Sequence, residues 1–253
     1  MIDIKLLEQL CLCNGISGDE GNVRNLIINE IKDCADDIKT DNLGNLIVFK
    51  KGKKSAKSKL MVSAHMDEVG LMVTDITSDG YLKFDEVGGI DRRVLPGKRV
   101  CVGRNGLKGV IGVKPIHLTN GDEKTAVPKM NDMYIDIGAE SREDALKYVN
   151  HGDSINFEGD FKINGKTVVT KALDDRFGCY VLINLIKSEH EYDMYFTFVV
   201  QEEVGLRGAR PAAFTVNPDF ALVIESTTAA DVAEVDVSHQ VCNLSKGATV
   251  TVM

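Results

Sequence analysis

The sequence of 253 residues has no tryptophan and only five prolines, and it has no run of about 18 apolar residues such as a membrane-spanning helix needs. The first ten residues, MIDIKLLEQL, also lack the basic and then apolar segments of a secretory signal. Six cysteines form no CxxC pair, which favours reduced thiols over a disulfide framework. We therefore expect a cytoplasmic protein with no membrane partner.

Positive charge is scarce as well. Lys and Arg number 30 against 38 Asp and Glu, which gives a formal net charge of −8. A surface that binds nucleic acid needs clustered basic side chains, so no nucleic-acid partner is expected. The one basic run, between Lys50 and Lys59, is interpreted as a solvated loop. The hydrophobic content of 43% excludes disorder as the main state of the chain.

The pattern of apolar residues divides the chain into two kinds of structure. Residues 1–68 and 167–253 alternate helical spacing with short strand-like runs, which is typical of a layered α/β domain. Residues 69–166 instead show short β-branched runs separated by glycines, which predict a small β-rich barrel or sandwich. The expected architecture is therefore a discontinuous α/β catalytic domain interrupted by a β-barrel-like insertion.

Four short segments place an acidic or imidazole side chain at the end of a predicted buried strand or just beyond it. They are Ser63–Asp67, Lys171–Asp175, Val200–Gly205 and Ile224–Ser226. Open α/β sheets gather their sites at such strand ends. One imidazole with several carboxylates is the donor set expected for zinc, cobalt or manganese, whereas calcium prefers oxygen alone.

Roles for these residues follow from the chemistry of a two-metal site, which shares one bridging carboxylate and one activated water. A further carboxylate that is not a ligand is needed as general base. Consecutive strand residues point to opposite sides, so one of Glu202 and Glu203 is expected to hold metal while the other faces the water. Asp67 is placed to accept the second N–H of His65 and so to fix its tautomer.

Taken together, the motifs HMDEVG, KALDDR, VQEEVGLRGAR and IESTTAAD closely resemble those of the M42 metalloaminopeptidases, which include glutamyl and tetrahedral (TET) aminopeptidases. The resemblance covers the whole chain and includes NLGNLIV near the start. It also includes GGIDRRVLPGKRV and GVIGVKPIHL within the β-rich insertion. It implies an enzyme that removes N-terminal residues from peptides and contains two divalent metal ions.

The resemblance also implies a role for each site residue. His65 and Glu225 would bind the first metal, Asp174 would bridge both, Glu203 would bind the second, and Glu202 would be the catalytic base. Many relatives have Asp at the position of Glu225. The Asp174–Asp175 peptide would be cis, and the insertion would be a dimerisation domain that leads in relatives to a dodecameric shell.

One departure from the family pattern concerns the last ligand. Family members supply a further histidine from a segment beyond the GATVTVM-like strand, and the nearest substitute here, His239, matches no ligand motif. His117, His151 and His190 are likewise expected to be structural. An incomplete assembly or binding remnant is therefore an alternative, with an uncovered sheet edge. Glycoside hydrolysis is a less favoured one, because it leaves His65, Asp174 and Glu225 without a role.

Overall fold

A computed structural model of the chain describes residues 3–55, 57–121 and 126–252. Its strands form an open five-stranded sheet, a closed six-stranded barrel and a separate two-stranded hairpin. In chain order, the strands before the barrel are β1 (Asp37–Thr40), β2 (Leu46–Lys50) and β3 (Leu60–His65). The barrel strands are β4 (Gly70–Ile76), β5 (Leu82–Val87), β6 (Arg99–Val102), β7 (Leu107–Val113), β8 (Met133–Asp136) and β9 (Ser154–Phe157). The remaining strands are β10 (Lys162–Asn164), β11 (Thr167–Val169), β12 (Met194–Val199) and β13 (Phe220–Val223).

Five α-helices accompany these strands in the described part of the chain. They are α1 (Ile4–Leu12), α2 (Gly21–Ile31), α3 (Arg142–Ala145), α4 (Leu173–Lys187) and α5 (Ala209–Val216). None of the helices in the described ranges is long and apolar enough to cross a membrane. The predicted combination of an α/β layer with a β-barrel-like unit is confirmed.

The open sheet has the strand order β1-β2-β12-β3-β13. Strand β3 is parallel to both of its neighbours, β12 and β13, while β2 is antiparallel to β1 and β12. Parallel neighbours need crossover connections, which here include α4 and α5. Because β3 and β12 run side by side in the same direction, their carboxyl ends meet at one edge of the sheet.

The sheet is stabilised by one large apolar core. Leu10 of α1, Ile27 of α2 and Ile183 of α4 pack with Phe196 and Phe198 of β12, and all five side chains are buried. The helical spacing of the apolar residues in α1, α2 and α4 places them on one face of each helix, so the three helices cover the same face of the sheet. A smaller cluster under α5 covers part of the other face.

The barrel has its own core and lies between β3 and α4 in the chain. All six of its strands fall within residues 70–157, and its buried side chains form a second cluster that includes Leu71, Leu82 and Ile135. The hairpin of β10 and β11 pairs Lys162–Asn164 with Thr167–Val169, and so it crosses the predicted boundary between residues 166 and 167. The division into two domains at that boundary stays a proposal.

Strand β13 forms one edge of the open sheet and carries unusually exposed apolar side chains. Phe220 is 67% exposed, and Phe214 of the preceding α5 is 87% exposed. Beyond β13 the described residues up to 252 form one short 3₁₀ turn, Val237–His239, and no further strand. The exposed edge predicted from the sequence is therefore present in the described residues.

Candidate functional site

His65 and Asp67 lie where β3 leaves the sheet. His65 is the last residue of β3 and pairs in register with Val199, the last residue of the parallel strand β12. The side chains of His65 and Asp67 are buried, at 2% and 0% exposure. The segment after β12, which contains Glu202 and Glu203, is therefore brought directly against the segment after β3, as the sequence predicts.

Asp174 and Asp175 reach the same place from the start of α4, and the peptide between them is cis, as the family resemblance implies. The carboxylate of Asp175 is buried and accepts the backbone N–H groups of His65 (3.2 Å) and Gly178 (3.0 Å). Burial raises the pKa of Asp175 to about 7. Asp175 therefore links the end of β3 to the first turn of α4, while the Asp174 carboxylate faces His65.

Glu202 and Glu203 lie in a turn and not in a strand. Strand β12 ends at Val199, and Gln201 has a left-handed backbone with φ of +54°. The prediction that strand alternation sends the two carboxylates to opposite sides is therefore wrong. A carboxylate oxygen of each lies within 4.8 Å of the other and of a ring nitrogen of His65.

The ring of His65 is the centre of the cluster. Its Nε2 atom lies 3.1 Å from Asp174 Oδ1, 3.6 Å from Glu225 Oε1 and 3.9 Å from Glu202 Oε2. Two overlapping groups have ligand atoms within 4.8 Å of one another, namely His65 with Asp174 and Glu225, and His65 with Glu202 and Glu203. The structure thus brings together all five residues for which the sequence predicts metal or general-base roles.

Asp67 occupies the position behind the imidazole, but it binds backbone more closely than ring. Its Oδ1 accepts the Glu202 N–H (3.0 Å), and its Oδ2 accepts the Glu203 N–H (3.1 Å) and the Ser17 hydroxyl (2.6 Å). The distance from Asp67 Oδ1 to His65 Nδ1 is 3.5 Å, and that buried nitrogen has no hydrogen-bond partner among the described residues. Asp67 therefore holds the glutamate turn and stands close enough to orient the ring.

Burial and mutual charge shift the pKa values of residues in this cluster. Burial by itself lowers the pKa of His65, but the hydrogen bond with Asp174 and the nearby negative charges of Asp67 and Glu225 outweigh it and raise the pKa to about 11. The hydrogen bond to His65 lowers the pKa of Asp174. Burial, a hydrogen bond with Asp174 and nearby negative charge raise the pKa of Glu225 to about 8, and burial raises the pKa of Glu203.

The donor set fits divalent metal ions. Four carboxylates and one imidazole nitrogen converge, and no Lys or Arg in the described ranges is ion-paired with Asp174, Glu202, Glu203 or Glu225. A cation in their midst would relieve the repulsion that raises the pKa of Glu225. Mixed nitrogen and oxygen donors suit zinc, cobalt and manganese.

The four other histidines lie elsewhere. His190 contacts the carbonyl of Leu185, His151 lies 3.4 Å from Asp75, and His239 ends the turn Val237–His239. In the part of the chain that the structure describes, neither group of metal-type ligands includes them or His117.

Three residues that support the site were not singled out from the sequence. They are Ser17, Glu20 and Asn45, whose side chains bind Asp67 or the backbone around Gln201. Glu20 precedes α2 and looks in the sequence like a helix cap, and Asn45 looks like a turn residue before β2. The available signal was weak: Ser17, Glu20 and Asn45 are polar residues next to apolar segments of the N-terminal part.

Comparisons with known proteins identify the family of this chain. The family model described as M42 glutamyl aminopeptidase matches residues 44–253. A curated relative from Acetivibrio thermocellus, which is named as an aminopeptidase, is 47% identical to this chain. The alignment covers 90% of this chain and 67% of the relative's length. An aminopeptidase structure from the archaeon Desulfurococcus kamchatkensis aligns with a TM-score of 0.90 and 36% identity, over 96% of this chain and 68% of the other.

A second solved structure, the TET1 peptidase of Pyrococcus horikoshii, aligns with a TM-score of 0.81 at 43% identity. The alignment covers 92% of this chain and 72% of that one, and the protein is described as able to assemble into a tetrahedron or a large octahedral shell. This chain thus spans about two thirds of the length of such relatives, 67% in the curated case. The family match extends over most of the sequence and includes every residue of the cluster around His65: the chain belongs to the M42 family of aminopeptidases, which are hydrolases of peptide bonds.

Proposed function

We propose that this protein is a metal-dependent aminopeptidase that hydrolyses N-terminal residues from peptides, with Glu202 as the general base. The observation that carries the proposal is the convergence of Asp174, Glu225 and Glu202 within 3.9 Å of one buried imidazole nitrogen of His65. Structural ion-pair networks rarely place so many carboxylates together without basic partners, because their mutual repulsion destabilises the fold.

The two overlapping groups suggest how two ions would be held. His65, Asp174 and Glu225, which lie together, would hold one ion, and Glu203, which lies with His65 and Glu202, would hold the other. The family resemblance assigns Asp174 as the ligand that the two ions would share. Zinc or cobalt is the favoured metal, with manganese as an alternative, and such ions polarise a carbonyl and lower the pKa of a bound water. Asp67 supports both groups, since it lies behind the His65 ring and accepts the N–H groups of the two glutamates.

Glu202 is suited to proton transfer. Its side chain is 28% exposed and its carboxylate is 3.9 Å from His65 Nε2, so it lies at the cluster without a hydrogen bond to the ring. In the proposed reaction Glu202 takes a proton from the attacking water and later donates it to the leaving amine. The surrounding carboxylates favour binding of the positively charged N-terminus of a peptide.

We further propose that the protein acts in the cytoplasm and that its barrel mediates dimers that build larger shells. The support is the similarity to the TET1 peptidase, which is described as forming tetrahedral or octahedral assemblies. The barrel strands of the present chain expose apolar side chains such as Val110 and Met72, which an interface would cover.

The substitution Glu202→Gln tests the assignment. The variant should bind zinc or cobalt as the wild type does but should lose turnover of aminoacyl-p-nitroanilides by about 100-fold or more, in line with the usual contribution of a general base. Glu143→Gln, which changes an exposed glutamate of the short helix α3, is the matched control. Wild-type hydrolysis by Glu202→Gln would refute the role of Glu202, and hydrolysis that survives a chelator would refute metal dependence.

A further inference from the structure

We propose that Glu20 is a positioning residue for the reaction: its carboxylate holds the turn that carries Glu202 and Glu203. The inference rests on the proposed function, because it assigns to Glu20 the placement of the general base and of a metal ligand. Glu20 itself belongs to neither group of metal-type ligands.

Four consecutive backbone N–H groups after β12 are accepted by side chains from the first 67 residues. The N–H of Val200 binds Asn45 Oδ1 (2.9 Å), and that of Gln201 binds Glu20 Oε1 (3.1 Å). The next two, of Glu202 and Glu203, bind the two oxygens of Asp67. The turn is therefore fixed residue by residue from outside itself, and Glu20 is the acceptor directly before the proposed base.

Gln201 is the residue at which such support matters most. Its φ of +54° is left-handed, a conformation that is unfavourable for a non-glycine residue. The left-handed residue redirects the chain out of β12 and turns the next residue, Glu202, toward the cluster. Without an acceptor for its N–H, Gln201 would relax toward an ordinary conformation and carry Glu202 with it.

The surroundings of Glu20 are rigid. Glu20 is 4% exposed and directly precedes α2, whose Val23, Ile27 and Ile31 are buried in the main core. The same Oε1 atom also accepts the N–H of Gly18 (2.7 Å), so one oxygen joins the loop before α2 to the turn after β12. The acceptor of the Gln201 N–H therefore lies in a well-packed part of the fold.

Helix capping does not account for Glu20. The residue occupies the N-cap position of α2, yet its side chain makes no capping hydrogen bond to that helix. Nor does an ion pair account for it, since none of the described Lys or Arg residues is paired with it, and burial raises the pKa of Glu20. What the carboxylate contributes is an acceptor oxygen, and a glutamine carbonyl at the same place would supply one too.

The proposal is tested with Glu20→Ala, Glu20→Gln and the control Asp19→Ala in the full chain. Asp19 adjoins Glu20 and accepts a hydrogen bond from the Ser154 hydroxyl of the barrel, and among the described residues it makes no hydrogen bond to the turn. Glu20→Ala should lower kcat by about 10- to 100-fold with KM changed less than threefold, because misplacement by about 1 Å suffices for such losses. Glu20→Gln should restore kcat to within about threefold of wild type, and Asp19→Ala should stay near wild type.

Hydrogen exchange supplies a readout independent of turnover. In Glu20→Ala the amide of Gln201 should exchange at least tenfold faster, while amides in the centre of β12, such as that of Phe196, should be unchanged. Exchange that rises equally throughout β12 would show a merely structural role and overturn the proposal. A wild-type kcat in Glu20→Ala would also overturn the proposal. The same holds if Glu20→Gln is as impaired as Glu20→Ala.

The two proposals fail in different ways. If Glu202→Gln keeps wild-type turnover, the proposed base is wrong, whatever the behaviour of Glu20. If Glu202→Gln is inactive while Glu20→Ala matches wild type in both kcat and Gln201 exchange, only the positioning role is wrong.

Discussion

The substitution Arg176→Ala should remove much of the stability of this protein, because the side chain is completely buried at 0% exposure. Its guanidinium donates to four backbone carbonyls. Nε binds Met66 (2.7 Å), Nη1 binds Leu10 (2.6 Å) and Cys13 (2.7 Å), and Nη2 binds Gly15 (3.2 Å). One side chain of α4 thus joins the end of α1, the loop that follows it, and the residue between His65 and Asp67.

The expected loss follows from these contacts. The Gly15 carbonyl would keep the backbone N–H of Glu68 as a donor (3.0 Å). At about 1 kcal/mol for each acceptor left without a donor, the carbonyls of Leu10, Cys13 and Met66 amount to about 3 kcal/mol. Glu68, which lies 3.6 Å from the Arg176 Nη2, would keep only Lys171 as a basic partner, so the estimate is a lower one. A protein of this kind has about 5–15 kcal/mol of total stability. Arg176→Ala should therefore lose about a fifth to three fifths of that stability at room temperature.

Urea denaturation followed by circular dichroism measures the loss. Arg210→Ala, which removes an exposed arginine of α5, is the matched control and should change the free energy of unfolding by less than about 0.5 kcal/mol. Arg176→Lys keeps the charge but not the fork of donors, so its stability should lie between wild type and Arg176→Ala. A loss below about 1 kcal/mol in Arg176→Ala would refute the reasoning, since the buried carbonyls would then need no guanidinium.

Two further predictions concern the proposed metal site. Gly88 has φ of +88°, and a Cβ there would lie 2.8 Å from Val69 Cγ1 and 3.3 Å from Glu203 Cβ, so Gly88→Ala should destabilise the protein by about 1–3 kcal/mol and weaken zinc binding. Titration calorimetry measures the zinc affinity. Gly89→Ala is the control, because nothing lies within 4 Å of a Cβ at that position. Equal zinc affinities of Gly88→Ala and wild type would contradict the contact with Glu203. Zinc at about 100 times its Kd should stabilise the fold by about 2.7 kcal/mol and raise Tm by about 5–10 °C. Calcium should have little effect, and equal Tm values with zinc and with a chelator would exclude a specific site.

Much of the fold could be predicted from local sequence patterns. The helical spacing in α1, α2 and α4 and the strand character of β3, β12 and β13 gave the right elements and the right layered class. β11 was the exception, because its residues 167–169 lie in the part of the chain predicted to be the α/β domain, yet they pair with β10 in a separate hairpin. A three-residue β-branched run indicates a strand but does not indicate its partner, which tertiary contacts decide.

The site could be predicted as a set of residues but not as a geometry. Parallel strands end at a common edge, so the convergence of His65 with Glu202 and Glu203 followed from their positions after β3 and β12. Their orientation did not follow, because the left-handed Gln201 turns the chain out of the strand and cancels the alternation rule. That conformation depends on acceptors more than a hundred residues away, including Glu20, which no local pattern connects to it.

The same long-range hydrogen bonds have a consequence for how the chain reaches its native state. Asn45, Glu20 and Asp67 bind amides that lie 155, 181 and 135 or more residues further along the sequence. Until the segment after β12 arrives, these three polar side chains, buried in the native fold, have only their local partners, such as the Ser17 hydroxyl and the Gly18 N–H. The N-terminal segments therefore gain their full stability only when nearly the whole described chain has docked. Formation of the proposed metal site should then coincide with the last cooperative step of folding, and zinc uptake would serve as a kinetic signal for the completion of that step.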